Sequence, residues 1–397
     1  MNTKRAPKVR FKGFTDAWEL RKLGEVAPLR GGYAFQSNQY ANEGIPIVRI
    51  SNILSDGSVG GEFVFHNELK DDEIFMLENG DIVLAMSGAT TGKVSILSSE
   101  KSCKYYQNQR VGLFSKTATC NYSFVATIVR SEKFLEQLQD VLVAGAQPNV
   151  SAKDIDAFDF SVPKNVEEQS KIGNFFRTLD RLITLHQRKL DKMKALKKAF
   201  LNLIFSQKLR FYGFNDSWER RKLKDVAEFN PKSSLPKTFE YVDLESVVGT
   251  DLVNHRTEES ATAPSRAQRL AQQGDIFYQT VRPYQKNNYL FKKLCSDYVF
   301  STGYAQMRPH IDNRFLFCIL QTDSFVKVVL DNCTGTSYPA INSTDLSNIE
   351  VEISAHREEQ VQIGNFFCTL DRLITLYQKK IDSSKEMKKI LLRNMLI

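Results

Sequence analysis

The stretch Ile172-Gly-Asn-Phe-Phe-Arg-Thr-Leu-Asp-Arg-Leu-Ile-Thr-Leu-His-Gln187 returns as Ile363-Gly-Asn-Phe-Phe-Cys-Thr-Leu-Asp-Arg-Leu-Ile-Thr-Leu-Tyr-Gln378, with changes only at Arg177/Cys368 and His186/Tyr377. A repeat of this length decides the architecture first, because the chain must hold one supersecondary unit twice. Outward from the repeat, Phe176, Leu179, Ile183, His186, Leu190, Met193, Lys197, Phe200 and Ile204 fall at alternating steps of three and four. The copy reads Phe367, Leu370, Ile374, Tyr377, Ile381, Ser384, Lys388, Leu391 and Met395. Such spacing is the seam of a long amphipathic helix. Pro163 and Glu167-Glu168 open the first and Glu358-Glu359 the second, while lysines crowd the ends, the polarity a helix dipole favours. Each helix spans about 39 residues, roughly 58 Å at 1.5 Å per residue. Polar Lys and Ser on the seam disfavour isolated dimers, so the two helices are expected to pair within the chain. A pseudo-two-fold duplication makes that pairing antiparallel.

A second repeat lies further out. Arg10-Phe-Lys-Gly-Phe-Thr-Asp-Ala-Trp-Glu-Leu-Arg-Lys-Leu23 recurs as Arg210-Phe-Tyr-Gly-Phe-Asn-Asp-Ser-Trp-Glu-Arg-Arg-Lys-Leu223, followed by Val26-Ala27 and Val226-Ala227. A fainter match joins Gly145-Ala-Gln-Pro148 and Asp154-Ile155 to Gly335-Thr-Ser-Tyr-Pro339 and Asp345-Leu346. Between these borders, residues 28–144 and 228–334 share little beyond Gly80-Asp-Ile82 and Gly274-Asp-Ile276. Duplicated frames around divergent inserts suit two different binding surfaces held in one geometry.

The inserts read as short extended runs with turn punctuation: Ile45 to Ile50, Gly80 to Ala85, Lys93 to Leu97 and Arg110 to Phe114, then Phe239 to Leu244, Gly274 to Tyr278 and Tyr289 to Lys293. One helical stretch interrupts each, near Ser123 to Leu142 and near Asn313 to Val329. The expected fold class is α+β, with two globular domains, residues 1–165 and 208–357, separated by two long helices, 166–207 and 358–397, that form an antiparallel coiled coil.

Composition narrows the function. The 397 residues are 42% hydrophobic and 25% charged, an ordinary globular balance. The 54 Lys and Arg against 46 Asp and Glu give a net charge of +8, which makes polyanions plausible partners. Six cysteines without a CxxC pair point to reduced thiols and a cytoplasmic location. Five scattered histidines offer no metal-ligand spacing, so no metal site is expected. Met1 to Arg10 lacks the apolar core of a secretory signal. The most apolar short run, Phe315 to Leu320, falls far below the roughly 20 residues a bilayer requires, so no membrane partner is expected.

Catalytic motifs are missing. Gly88-Ala-Thr-Thr-Gly92-Lys93-Val94 approaches a phosphate-binding loop but has three residues between its glycines and Val after Lys, where such loops need four and Ser or Thr. The chain has no Pro-Pro pair, hence no Asn-Pro-Pro-aromatic motif of adenine methylation. No catalytic residue is assigned.

The polar clusters suit DNA. Arg30, Tyr33 and Gln36 form one; Ser87, Thr90, Thr91 and Lys93 a second; Tyr106, Gln107, Asn108, Gln109 and Arg110 a third. The second insert offers Gln279, Arg282, Tyr284, Lys286, Asn287 and Asn288, then Ser301, Thr302 and Tyr304, then Thr336, Ser337 and Tyr338. Arg and Lys reach phosphate or guanine, Gln and Asn can pair with adenine, and Tyr and Thr touch phosphate or the thymine methyl. The competing reading of each residue is an ordinary solvated loop.

With both repeats in view, the chain from residue 8 onward resembles the specificity subunits of type I restriction-modification systems. Phe11 to Glu19, Glu168 to Phe176, Leu179 to Leu185 and their copies carry the likeness. The resemblance implies two target recognition domains, each reading half of an asymmetric split sequence in double-stranded DNA, and a coiled coil that sets the unread spacer. It also implies two modification subunits that methylate adenine with S-adenosylmethionine, and restriction subunits that use ATP and Mg. This chain would hold no cofactor itself. The basic helix positions Lys192, Lys194, Lys197, Lys198, Lys385, Lys388 and Lys389 are expected to meet DNA backbone or a partner. A coiled-coil interaction protein without DNA, or a self-sufficient nuclease or methyltransferase, are the rival readings.

Overall fold

The computed structural model describes residues 6–98, 103–144, 149–294, 297–335 and 337–396. It divides into two compact units, residues 1–186 with 380–397, and residues 187–379. The Gly145 to Pro148 motif, Cys295 and Thr336 lie outside the described residues.

In the first unit one sheet is ordered Leu29–Gly31, Val111–Phe114, Ile82–Ala85, Val94–Ile96, and another Val64–His66, Ile45–Val48, Tyr105–Gln107, Met76–Leu77. In the second unit the sheets run Ala227–Phe229, Tyr304–Pro309, Ile276–Gln279, Tyr289–Leu290, and Arg256–Glu259, Thr238–Val242, Tyr298–Ser301, Ala267–Leu270. The orders correspond strand for strand. Each unit's second sheet also has one parallel ladder at the same place, Ile47 with Tyr106 and Tyr241 with Val299. Inserts that share almost no sequence therefore share a topology.

Residue period explains how. The central strand Ile82–Ala85 is buried on both faces, so it reads as one apolar run. Successive side chains leave opposite faces. Ile82 and Leu84 join the core of Trp18, Phe124 and Phe176, whereas Val83 and Ala85 join Val48 and Leu113. In the second unit Ile276 and Tyr278 face Trp218, Phe315 and Phe367, while Phe277 stacks on Phe300 with centroids 3.6 Å apart. The shared Gly-Asp pairs form the turns into these strands. Gly80 and Gly274 sit at φ +92° and +95°, a conformation that favours glycine. Asp81 and Asp275 close the turns by accepting from the Glu78 and Gln272 amides, at 2.8 and 2.9 Å.

The long helices are Val166–Phe205 and Arg357–Met395. In the second unit Lys189 lies over Tyr377, Lys197 pairs with Asp371, and Phe200 meets Phe366 edge-on, so one number rises as the other falls. That is antiparallel pairing. In the first unit Asp180 binds Lys388 at 2.6 Å, and Phe175 shares a core with Leu391. Every seam residue is buried or half-buried: Phe176, Leu179, Ile183, His186, Leu190 and Met193 on the first helix, and Phe367, Leu370, Ile374, Tyr377 and Ile381 on the second. Gly173 lets the first helix approach close to its neighbour, since a Cβ there would stand 2.4 Å from the Ser123 carbonyl carbon.

Two sequence expectations change. Each insert's helical stretch is two helices, Tyr122–Ile128 with Glu132–Ala144, and Asn313–Gln321 with Asp323–Asp331. Thr322 makes the second break: its extended backbone ends one helix, and its Oγ1 accepts from the Phe325 amide to start the next. Apolar periodicity runs on across such a cap. Lys197 and Lys388 also differ from the exposed lysines around them. They are folded onto Asp371 and Asp180 along the seam, so their charges are engaged within the chain.

No described helix is long and apolar enough to cross a membrane. The five described cysteines are free thiols, and no described cluster of His, Cys, Asp and Glu could hold a metal ion.

Candidate nucleic-acid interface

In the first unit three loops converge at one end of the central strand. Gly32 brings the first against the third: a Cβ there would lie 2.2 Å from the Gln107 carbonyl oxygen, so only glycine permits the approach. The Tyr33 amide then donates to that oxygen at 2.9 Å, and the Met86 amide donates to the Arg110 carbonyl at 3.0 Å. Residues 31–36, 86–93 and 107–110 thus form one surface. Tyr33 is 45% exposed, its ring resting on Phe35 and Phe75. Gln36, Gln109 and Arg110 are exposed, while Ser87, Thr90, Thr91, Lys93 and Asn108 are half-buried.

Three of the sequence candidates support this surface from behind. Gln107 is sealed and donates to the Arg30 and Val111 carbonyls. Tyr106 is sealed and donates to Asp72 at 2.7 Å, with burial pushing its hydroxyl pKa up. The Arg30 guanidinium donates to the Ile74 and Met76 carbonyls, at 2.5 and 3.4 Å, so it is tied to that backbone.

The second unit builds its surface at the equivalent strand end. The Thr280 amide donates to the Gly303 carbonyl and the Arg282 amide to the Pro339 carbonyl, gathering residues 279–288, 301–304 and 337–340. Here too the candidates divide. Gln279, Asn288, Ser301 and Tyr304 are buried; Asn288 Oδ1 accepts from the Gln279 amide, Ser301 Oγ from the Gly303 amide, and Tyr304 donates to the Asp243 carbonyl. Asn287 is engaged with the Gly249 amide. Tyr284 and Tyr338 are 51% and 64% exposed, Ser337 is exposed, and Arg282 and Thr302 are half-buried. Lys286 binds Asp323, which also binds Lys198 of the long helix. Sequence reading passed over Asp323, because only tertiary structure brings two lysines to one carboxylate.

A family model for the type I restriction modification DNA specificity domain matches residues 15–195 and again residues 215–384. The chain belongs to this family. Both family-domain matches carry one set of the loops described above, on equivalent strands. Among curated relatives, the specificity-domain chain is 27% identical over 207 residues to the type I restriction enzyme MjaVIII specificity subunit of Methanocaldococcus jannaschii, covering 50% of this chain and 48% of that protein. It is 26% identical over 200 residues to the EcoAI specificity subunit of Escherichia coli, covering 47% and 34%. The matched stretch thus spans about half of the first relative and a third of the second. The crystal structure of the type I restriction-modification system S subunit from M. genitalium has the same fold, with a TM-score of 0.68, 15% identity and 99% of each chain covered. A chain solved in work on complex assembly and conformational transition of the type I R-M system aligns at a TM-score of 0.51 and 16% identity, over 94% of this chain and 96% of that one.

Proposed function

We propose that this chain is the DNA-specificity subunit of a type I restriction-modification enzyme, each unit reading one half of a split, asymmetric duplex target. One observation carries the reading: two units whose four-stranded sheets share one strand order present different loops at the same strand end. Identical loops would read a repeated sequence. Unlike loops on like frames read unlike half-sites. The coiled coil sets the spacer between them.

The methylation and cleavage chemistry lies in partner subunits, which would use S-adenosylmethionine, ATP and Mg. Two modification subunits dock on the long helices. Duplicated exposed apolar positions support that number: Leu182, Leu185 and Met387 in the first unit, and their repeat counterparts Leu373, Leu376 and Leu196 in the second, are each at least 39% exposed. The net charge of +8 suits a DNA ligand whose phosphates are shared among subunits.

The test is to express the chain with its modification subunits and map methylated adenines genome-wide. A bipartite motif is expected, and exchanging residues 28–162 for another recognition domain should change one half only. Methylation without a split motif, or a change in both halves, would overturn the reading.

A further inference from the structure

The loop after the strand Ile276–Gln279 is held in an unusual backbone conformation around one uncommitted guanidinium. Arg282 and Lys286 both have φ of +55°, flanking the short turn Pro283–Gln285. Non-glycine residues occupy this region rarely, and they persist where the surroundings over-determine them. Here the surroundings do. The Arg282 amide donates to the Pro339 carbonyl at 2.8 Å, Gln279 Nε2 donates to the Val281 carbonyl at 2.6 Å, and Lys286 Nζ donates to the Gln321 carbonyl at 2.9 Å.

Three arginines of this unit are neutralised by buried or half-buried carboxylates: Arg210 by Glu359, Arg256 by Asp243 and Glu258, Arg308 by Asp275. Arg282 forms no ion pair or side-chain hydrogen bond among the described residues. Its guanidinium lies 4.6 Å over the centroid of the exposed Tyr338 ring. A guanidinium held over a ring face keeps N–H groups available for the fork that matches O6 and N7 of guanine in the major groove. The corresponding loop of the first unit, Ser87 to Lys93, turns at Gly88 and Gly92 and carries no arginine.

We propose that Arg282, stacked on Tyr338, is a specificity-determining residue that reads a guanine in the half-site contacted by the second unit. The inference rests on the half-site reading above.

The test uses the full chain with its modification subunits and a randomised duplex DNA library, comparing wild type with Arg282→Gly, Arg282→Lys, Tyr338→Phe and Tyr338→Ala. Glycine accepts a φ of +55°, so Arg282→Gly removes the side chain without backbone strain. Arg282→Lys keeps the charge but loses the fork. Both should select the wild-type motif relaxed at one G·C pair, with affinity for the wild-type target lowered roughly 5- to 150-fold. Tyr338→Phe should keep the guanine, and Tyr338→Ala should weaken it. Retention of the full motif by Arg282→Gly, or an equal loss on every duplex, overturns the inference and leaves the functional reading standing. A wild-type complex that selects no motif overturns both.

Discussion

Arg210 grips Glu359 through both edges of its guanidinium, Nε to Oε1 at 2.9 Å and Nη2 to Oε2 at 2.7 Å, with Glu359 wholly buried. Arg10 grips Glu168 in the same way at 2.6 and 2.8 Å. Each pair ties the segment that begins a repeat to the first turn of the long helix that follows its insert. The copies differ around the carboxylate: Trp218 Nε1 donates to Glu359, whereas Trp18 Nε1 is buried without a partner.

Removing one member of a buried pair leaves an uncompensated charge. Glu359→Gln should therefore destabilise the second unit by about 3–5 kcal/mol. Calorimetric melting checks this, and Glu168→Gln should cost less, because no tryptophan shares that carboxylate.

Burial raises the Glu359 pKa, but hydrogen bonds from Arg210, Ser354 and Trp218 and the charge of Arg210 outweigh it, so the folded value lies below the ordinary one. A carboxylate with a depressed folded pKa adds stability that is complete above its unfolded value and is lost as pH falls through the folded value. The melting-temperature gap between wild type and Glu359→Gln should hold near neutral pH and narrow below about 4.3. A gap unchanged down to the acid limit would refute the assignment.

Gly173 and Gly364 occupy the same place in the two helices. A Cβ at Gly173 would meet backbone, the Ser123 carbonyl carbon at 2.4 Å and the Phe124 amide nitrogen at 2.6 Å; at Gly364 the nearest atoms are the Asp312 carboxylate at 2.7 Å and Arg314 Cβ at 2.8 Å. Alanine favours a helix interior by up to about 1 kcal/mol, but overpacking costs about 1–3. Gly173→Ala should lower stability, and Gly364→Ala should lower it less, since side chains yield more readily than backbone. Denaturant midpoints of the two variants decide.

Lys388 is pressed between Asp180 and Arg130, and desolvation lowers its pKa. Replacing it with Met leaves Asp180 paired to Arg130 at 2.9 Å and should change stability by no more than about 1 kcal/mol. Asp180→Asn instead leaves two cations facing one neutral group and should cost about 3 kcal/mol or more. The two melting temperatures, measured side by side, test the asymmetry.

If the duplicated apolar positions dock the modification subunits, Leu373→Ser with Leu376→Ser should leave one bound per chain instead of two. Native mass spectrometry counts them. Two retained subunits would place docking elsewhere.

The duplication, the long helices and their seam are legible in residue order, because a helical period of 3.6 and a sixteen-residue repeat are written there. Residue order also placed strands such as Ile82–Ala85, whose two-faced burial leaves an apolar run, but not Tyr105–Gln107, Tyr298–Ser301 or Tyr304–Pro309, where polar residues are buried among apolar ones. The common sheet order of the divergent inserts emerges in three dimensions alone, because ladder partners such as Ile47 and Tyr106 lie far apart in the chain and many residues satisfy the same pleat. Tertiary structure also sorted the polar clusters. Gln107 and Tyr304 carry the same chemistry as Gln109 and Tyr338, yet the first two hold loops in place from inside and the second two face solvent. Donor and acceptor types are legible in a sequence; which of them the fold consumes depends on which neighbours packing brings within reach.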